Sequence, residues 1–383
     1  MTAFQEALTW LYGRRRDGAQ RTHRRAAKLL DALSLTPPER VVHIVGTNGK
    51  GEAAARIARS LVYAGESAIR FTSPHARSFQ ERVTFNEQPI READVTDFVL
   101  QARPEAERIK ATFFDLSLAM AVWLGAKHDA RWLVAEAGVG AEGDATMALR
   151  NISMVVATNV SSDHEAAIGP GLAGIATNKS AAVRTPAPVV SSVAWPEAGF
   201  FKARADACGA TFIDVTGDIG PQDDVNIALA VAACRTLGLP SAACSHATTP
   251  IQLPCRWESF RLDDDKDVVF DGAHNVASLQ RAIDRLKPSD HVLFGAQAQK
   301  DVAAMLQMLE PRDNVWTTAV GEAPEVLRRH PRFIGTPEVA LAKALSELQA
   351  GERLVVLGSF RLVGALSQPY AAATSHSRGL QNL

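Results

Sequence analysis

Short apolar runs recur along the chain and alternate with stretches of helical periodicity. In the first run, Val41–Val45, four of the five residues are apolar, which is typical of a buried strand at the centre of a parallel sheet. Further runs are predicted as strands at 67–71, 131–140 with its turn, 152–160, 188–192, 211–215, 268–270, 291–294, 314–318 and 353–358. Strands that alternate with helices predict an α/β fold.

Apolar residues three and four positions apart predict the helices. The pattern covers residues 3–35, 92–103, 112–124 and 226–237, and Pro37-Pro38 ends the first of these. Within 3–35 lie the basic residues Arg14, Arg15, Arg16, Arg21, His23, Arg24 and Arg25. They are interpreted either as a solvated helix face or as a basic lip beside an anionic substrate.

Composition limits the classes of function. The chain has 383 residues, enough for two domains, with 46% hydrophobic and 22% charged residues and a formal net charge of −1. This charge gives no field that would attract nucleic acid or an anionic membrane, and no signal peptide or membrane-spanning run is expected. The four cysteines lack metal-type spacing, so we expect a cytoplasmic protein with free thiols.

A glycine-rich turn follows the first strand and precedes an alanine-rich helical run. It comprises Gly46, Thr47, Asn48, Gly49, Lys50 and Gly51. Such a turn directs backbone N–H groups and a helix N-terminus towards an anion, and Lys50 adds an ammonium for a phosphate. The strict pattern G-x-x-x-x-G-K-[ST] is not met, because Ile44 and Gly51 occupy two of its positions. The turn nevertheless predicts a nucleotide phosphate loop.

Several further motifs follow the glycine-rich turn along the chain. The ordered set is Thr-Asn-Gly-Lys-Gly at 47–51, Thr-Ser-Pro-His at 72–75, the Glu136 turn, Asp-His at 163–164, Lys179, Pro-x-Arg at 254–256 and Asp-Gly-Ala-His-Asn at 271–275. In this order the motifs resemble those of the folylpolyglutamate/dihydrofolate synthase branch of the Mur ligase superfamily. The resemblance implies ATP as a ligand, ATP-dependent amide formation through an acyl phosphate, and a site in the cleft between two domains that close on the substrates.

Three candidate metal ligands follow three of the predicted strands. Ser73, Glu136 and His164 should meet at one edge of the sheet, where parallel strands end, and Glu136 would be desolvated without a cation nearby. The resemblance implies that they hold the Mg²⁺ that bridges the ATP β- and γ-phosphates. It also implies that Lys179 is carbamylated and supports a second ion.

The remaining site residues rest on the resemblance. It places Asn226 near the adenine, Arg256 on the phosphates across the cleft, and Asp271 and His274 in the ribose-binding turn. The expected architecture is a P-loop ATPase-like parallel-sheet domain at 1–250, a smaller Rossmann-like α/β domain at 251–367 and a loose tail at 368–383.

Three positions depart from the family pattern. Glu52 replaces a Ser or Thr in the first turn of the phosphate-loop helix, so a carboxylate would face triphosphate unless Mg²⁺ screens it or the nucleotide binds differently. Glu142 and Met147 replace an Arg and an Asn, which brings acidic charge near the substrate cleft, and the pteridine-side loops are short.

These departures favour an amide ligase that joins a non-folate carboxylic acid to an amino acid or amine. The alternatives are a dihydrofolate/folylpolyglutamate synthase that adds glutamate, and a non-catalytic ATP-binding or interaction protein. Expected partners are small molecules only, and the protein is expected to be a monomer or a homodimer.

Overall fold

The computed structural model describes residues 1–14, 21–218, 224–262 and 265–379. The chain divides into two compact units. The first comprises Met1–His75 and Phe79–Ile251, and the second comprises Ala76–Ser78 and the chain from Gln252 onwards. Arg77 belongs to the second unit because its guanidinium forms a two-pronged ion pair with the carboxylate of Glu258, at 2.6 and 2.8 Å.

An eight-stranded sheet forms the centre of the first unit. Its strands are β1 (Arg40–Val45), β2 (Ala68–Phe71), β3 (Val83–Phe85), β4 (Gln88–Pro89), β5 (Trp132–Glu136), β6 (Ile152–Ala157), β7 (Val189–Ser191) and β8 (Phe212–Asp214). The spatial order is β4-β3-β2-β5-β1-β6-β7-β8. All neighbours are parallel except β2 with β3 and β3 with β4. The expected central position of β1 is confirmed, since parallel strands flank it on both sides.

Ten helices accompany this sheet among the described residues. They are α1 (Ala3–Gly13), α2 (Arg24–Ala32), α3 (Lys50–Tyr63), α4 (Glu92–Ile109), α5 (Phe113–Lys127), α6 (Glu165–Ile168), α7 (Gly171–Ser180), α8 (Ala198–Cys208), α9 (Val225–Thr236) and α10 (Ser241–His246). None of the helices in the described ranges of either unit is long and apolar enough to cross a membrane.

Two helix predictions need correction. The expected helix over 3–35 is two helices, and α1 ends at Gly13, where the flexible glycine backbone favours termination. Arg15 and Arg16 of the expected basic lip lie outside the described residues. The helix expected at 92–103 continues through Pro104 to Ile109, because Ala102 and Ala106 pack in the core on either side of the proline.

A six-stranded sheet forms the centre of the second unit. Its strands are β9 (Glu258–Arg261), β10 (Asp267–Phe270), β11 (His291–Phe294), β12 (Val315–Thr318), β13 (Phe333–Ile334) and β14 (Arg353–Leu357). The order is β13-β12-β11-β14-β10-β9, and only the β9–β10 pair is antiparallel. The helices are α11 (Val276–Ile283), α12 (Val302–Gln307), α13 (Glu325–Arg328), α14 (Pro337–Glu347) and α15 (Phe360–Gly379).

The loose tail expected from residue 368 is wrong as far as Gly379, because α15 continues to that residue. Leu362 and Leu366 of α15 are buried in the core of the second unit. The Tyr370 ring lies 5.5 Å from the Phe270 ring and 5.9 Å from the Phe260 ring, centroid to centroid. These aromatic contacts anchor a segment whose polar composition predicts a loose end.

Candidate active site

The glycine-rich turn after β1 forms a loop that the end of β6 holds in place. Gly49 caps α3 with a φ of 84°, a left-handed conformation that glycine adopts without strain. The Asn48 backbone N–H donates to the Asn159 side chain at 2.9 Å, and its carbonyl accepts from the Thr158 hydroxyl at 2.6 Å. The Lys50 ammonium donates to the Thr47 carbonyl at 3.0 Å. The loop therefore has a defined shape at the N-terminus of a 14-residue helix, which suits an anion.

Glu136 is the central carboxylate of this site. It is the last residue of β5 and is only 3% exposed. One oxygen accepts the Ser73 backbone N–H at 2.9 Å, and the other lies 3.7 Å from the Lys50 ammonium. A Cβ added to Gly51 would lie 3.2 Å from the carboxylate. The fold thus brings the predicted residues Lys50, Ser73 and Glu136 together beside the phosphate loop.

His164 is less clearly part of this site than Ser73 and Glu136. It precedes α6 with a φ of 57°, its side chain is 45% exposed, and its Nε2 lies 3.7 Å from the Asp163 carboxylate. Within the described ranges, no group of three or more His, Cys, Asp and Glu side chains is arranged to hold a metal ion. Mg²⁺, however, is usually held by one or two carboxylates together with phosphates and water. The Ser73–Glu136 pair fits that mode, and the metal role of His164 stays a prediction.

Lys179 lies beneath the phosphate loop. It is 3% exposed, and its ammonium donates to the Gly46 carbonyl at 2.7 Å. Burial makes the largest contribution to lowering the pKa of Lys179, to about 7, and repulsion from the Lys50 charge makes the next largest. The charges of Asp163 and Asp144 act in the opposite direction and raise this pKa. A large fraction of this amine is therefore neutral near pH 7, and only a neutral amine can react as a nucleophile.

The Glu52 carboxylate is hydrogen-bonded inside the protein and does not face the loop as an unpaired charge. One carboxylate oxygen accepts from Arg56 Nε at 3.0 Å and Nη2 at 2.9 Å, and the other accepts from the Asn226 side-chain amide at 2.9 Å. Asn226 lies against Gly49, where an added Cβ would be 2.3 Å from its amide oxygen. Asn226, whose predicted neighbour is adenine, thus contacts the phosphate loop.

A cavity of about 560 Å³ opens within the first unit. Its lining combines aromatic rings, basic and acidic side chains and the turn after β5, and includes Tyr12, Arg21, Arg25, His75, Phe113, Phe114, Asp115, Gly138, Asp144 and His164. The volume is that of a pocket for a drug-sized molecule. The basic residues Arg21 and Arg25 are part of this lining, which supports the basic-lip interpretation for these two residues.

Asp144 is held rigidly in the cavity wall. Its Oδ1 accepts from the backbone N–H of Thr146 at 3.1 Å and from its hydroxyl at 2.7 Å, and its Oδ2 accepts from the Val139 N–H at 3.0 Å. Arg21 Nη2 lies 3.7 Å from Oδ2. Below it, His43 Nε2 is 2.9 Å from the Thr146 hydroxyl oxygen, and burial lowers the pKa of His43 to about 3. A neutral, hydrogen-bonded layer therefore supports a fixed carboxylate.

Another wall of the cavity is aromatic. The Tyr12 and Phe113 rings stack with centroids 5.6 Å apart, and the Arg82 guanidinium lies 4.9 Å from the Phe113 centroid. Arg82 Nε donates to His75 Nδ1 at 2.6 Å. Burial and the charge of Arg82 lower the pKa of His75 to about 4, so this ring is neutral near pH 7 and suits contact with a planar ring system.

Glu142 does not bring acidic charge into this cavity. Its side chain is exposed, and it is absent from the described residues that line the cavity, whereas its neighbours Gly143 and Asp144 are present. The turn directs position 142 outwards, so the acidic side chains in the cavity wall are those of Asp115 and Asp144. Met147 instead contacts the Arg184 guanidinium through its sulfur, at 3.4 Å.

In the second unit, the predicted ribose-binding turn uses its own polar groups. Asp271 accepts the Trp257 N–H at 2.8 Å and the Ala273 N–H at 2.9 Å. His274 Nδ1 donates to the Gly272 carbonyl at 2.8 Å. The Arg256 guanidinium lies 4.5 Å from the Phe360 ring centroid. The turn is therefore rigid, and the nucleotide roles of Arg256, Asp271 and His274 stay predictions.

Sequence reasoning missed several residues of the site. Arg56, Tyr12 and His43 follow ordinary helix or strand patterns, so only the structure reveals their partners. For Arg56, a signal was available. The Glu52–Arg56 spacing of four residues on one helix predicts an ion pair.

The relatives that comparison with known proteins finds agree in their names. No family model matches the chain. A folylpolyglutamate synthase of Lacticaseibacillus casei is 26% identical over 95% of this chain and 98% of its own length. A dihydrofolate synthase/folylpolyglutamate synthase of Bacillus subtilis is 27% identical over 81% of this chain and 83% of its own length.

Solved structures have the same fold. Escherichia coli FolC in complex with DHPP and ADP superimposes with a TM-score of 0.82 at 22% identity, covering 97% of this chain and 99% of that one. An FPGS–AMPPCP–folate complex has a TM-score of 0.82 at 24% identity, covering 96% and 99%. The two-domain α/β fold predicted from the sequence is confirmed.

Proposed function

We propose that the chain is a divergent member of the folylpolyglutamate and dihydrofolate synthase branch of the Mur ligase superfamily and that it adds glutamate to a folate-type acid. It is an ATP-dependent acid–amino-acid ligase that forms a carbon–nitrogen bond, with ATP and Mg²⁺ as cofactors. Its substrates are a carboxylic acid and an amino acid. The relatives favour the folate alternative over the non-folate acid that the departures at Glu52 and Glu142 suggested.

One observation carries the proposal. Lys50, Ser73 and the buried Glu136 converge beside a phosphate loop, and the same unit contains a cavity with aromatic walls and a fixed carboxylate. Stacked rings suit a planar heterocycle, and the Asp144 carboxylate suits its N–H donors. The two departures do not oppose this assignment, since Glu52 pairs with Arg56 and Glu142 is exposed.

The reaction has two steps. A carboxylate oxygen of the acid attacks the γ-phosphorus of ATP, the bond to the β-phosphate oxygen breaks, and ADP leaves. The glutamate amine then attacks the acyl carbon, inorganic phosphate leaves, and the nitrogen loses its proton to solvent or a base. Lys50 stabilises the charge on the transferred phosphoryl group, and the phosphate-loop N–H groups fix its position. The role of Arg256 in this charge compensation belongs to the proposal.

The donor set beside Lys50 fits Mg²⁺. A hard cation takes oxygen ligands, and the Ser73 hydroxyl and the Glu136 carboxylate belong to residues in direct contact. Bound there, the ion would neutralise phosphate charge during transfer. Lys50 at 3.7 Å compensates Glu136 electrostatically, since a buried carboxylate is costly without a cation.

Carbamylation of Lys179 is part of the proposal. The neutral amine of Lys179 attacks CO₂, a C–N bond forms, and one proton is released, which leaves a carboxylate-like group. The lowered pKa of this buried lysine supports the step, because an ordinary lysine is almost fully protonated near pH 7. Its position beneath Gly46 would place the new carboxylate near the phosphate loop, where it could support a second ion.

The test is phosphate release from ATP and Mg²⁺ in the presence of tetrahydrofolate or dihydropteroate and glutamate. Lys50→Ala is the blank, and Lys202→Ala is the matched control, since Lys202 is 48% exposed and pairs with Asp206 on the surface. We expect release that needs both organic substrates, together with a mass gain of one glutamate on the acid. The control should keep wild-type activity.

Each other outcome has a clear meaning. ATP binding without turnover of either folate acid would overturn the folate substrate and direct the search to other carboxylic acids. Failure of the wild-type protein to bind ATP would overturn the ligase assignment and favour a non-catalytic interaction protein.

A further inference from the structure

We propose that Glu52 is a positioning residue for the nucleotide, which acts through Asn226 on the phosphate loop. The inference rests on the proposed function only in taking a nucleoside triphosphate as the ligand of that loop. It concerns a residue at which this chain departs from the family pattern, and the structure supplies its partners.

The charge of Glu52 is compensated inside the protein. Arg56 is 6% exposed and forms a four-residue-spaced ion pair with Glu52 on α3, at 2.9 Å. The same guanidinium donates to the Ala247 carbonyl at 2.7 Å and the Thr249 carbonyl at 3.1 Å. Arg56 is thus held by three partners, and Glu52 is held by Arg56. The carboxylate therefore has a fixed position and does not confront the phosphates as an unpaired charge.

The second oxygen of Glu52 fixes the Asn226 side chain. It accepts the Asn226 Nδ2–H at 2.9 Å, so the amide oxygen must face the other way. That oxygen lies over Gly49, where an added Cβ would be 2.3 Å from it. The Asn226 backbone is fixed as well, because its N–H donates to the Asp224 carboxylate at 2.8 Å. Asn226 is 8% exposed and cannot swing away freely.

The contact with Gly49 controls the shape of the phosphate loop. Gly49 is in the left-handed conformation and has no side-chain cap, so its own chain provides little restraint. The loop N–H groups bind an anion well only when they are already correctly oriented, since ordering them on binding costs free energy. Asn226 packs against Gly49 from the side, and Glu52 holds Asn226 there. Releasing Asn226 should weaken nucleotide binding without touching the acid cavity.

The test is a mutant cycle that measures whether the Glu52–Arg56 pair and Asn226 act together on ATP binding. The paired variant Glu52→Met/Arg56→Met removes the ion pair without leaving a buried charge alone, a change that proteins often tolerate. We expect its Kd and KM for ATP to rise about tenfold, as for loss of a charged hydrogen bond, with the KM for the acid unchanged. Asn226→Ala should weaken ATP binding similarly, and the triple variant should be no weaker than Asn226→Ala alone.

Controls separate positioning from stability. Glu52→Gln keeps one of the two acceptor oxygens and should therefore weaken ATP binding less than the paired variant does. Lys202→Met/Asp206→Leu removes an exposed pair with the same spacing and should change neither ATP affinity nor melting temperature. If the paired variant does not fold, Glu52→Ser compared with Glu52→Gln tests the same contact, since both leave the Arg56 bonds to the two carbonyls.

Two results would overturn the inference. One is unchanged ATP affinity in the folded paired variant, or in Glu52→Ser if that variant replaces it. The other is a triple variant whose loss equals the product of the separate losses, because independent effects would then act on the nucleotide. Absence of ATP binding by the wild-type protein would be a different failure, since it overturns the proposed function and this inference together.

Discussion

Lys179 offers the sharpest test of the electrostatics of the site. In Lys179→Met an uncharged side chain of similar length replaces the buried amine, which is 3% exposed. The pKa of Lys179 falls from 10.5 to about 7, which means that the folded protein disfavours the charged lysine by a free energy of about 5 kcal/mol. Loss of the hydrogen bond to Gly46 subtracts about 1 kcal/mol. At pH 6 we therefore expect the variant to be more stable than the wild-type protein by about 3–4 kcal/mol.

The sign of the pH dependence follows from the same shift. Between pH 7 and 10.5 the unfolded chain binds more protons at Lys179 than the folded chain does, so wild-type stability rises with pH. Below pH 7 the lysine is charged in both states, and the full cost is present. The difference in free energy of unfolding between Lys179→Met and the wild-type protein should thus be largest and constant below pH 7. It should disappear as the pH approaches 10.5.

The measurement is urea unfolding at pH 6, 7.5 and 9 in CO₂-depleted buffer without nucleotide or Mg²⁺. Lys202→Met, at a 48% exposed lysine, is the control and should show no such dependence. The Met variant should be inactive in the ligase assay although it is more stable. A stability difference that is independent of pH, or a Met variant that is less stable at pH 6, would refute the reasoning.

Two further predictions concern the phosphate loop. Gly49→Ala should abolish ATP binding in a titration, because the new Cβ would lie 2.3 Å from the Asn226 side-chain oxygen. The control is Gly65→Ala, since Gly65 has the same φ of 84° but open space around it. This control should lose about 1 kcal/mol of stability and keep its ATP affinity. Glu136→Gln should raise the Mg²⁺ concentration needed for half-maximal phosphate release at least tenfold; an unchanged Mg²⁺ requirement would remove Glu136 from the metal site.

Much of the fold could be predicted because local patterns and global packing agree. Buried strands such as β1 and β6 are nearly continuous apolar runs, and the turns at their carboxyl ends carry the polar residues. The expectations fail where a local rule is overridden. Pro104 does not end α4, because the buried faces on both sides hold the helix together. The polar end of the chain is helical as far as Gly379, because Tyr370 packs on two phenylalanines.

The sequence by itself determined the glycine-rich loop, the order of the strands along the chain and the candidates Ser73 and Glu136, because turn chemistry and hydrophobic periodicity are local properties. Lys179 is a candidate only through the resemblance to the family. Tertiary structure alone decided what surrounds them. Glu136 lies beside Lys50, Lys179 is buried away from water, and Asn226, 174 residues away from Glu52 in the chain, contacts both Glu52 and Gly49. A residue's charge state and orientation depend on neighbours that are distant in sequence, and burial by those neighbours sets the free energy of each charged form.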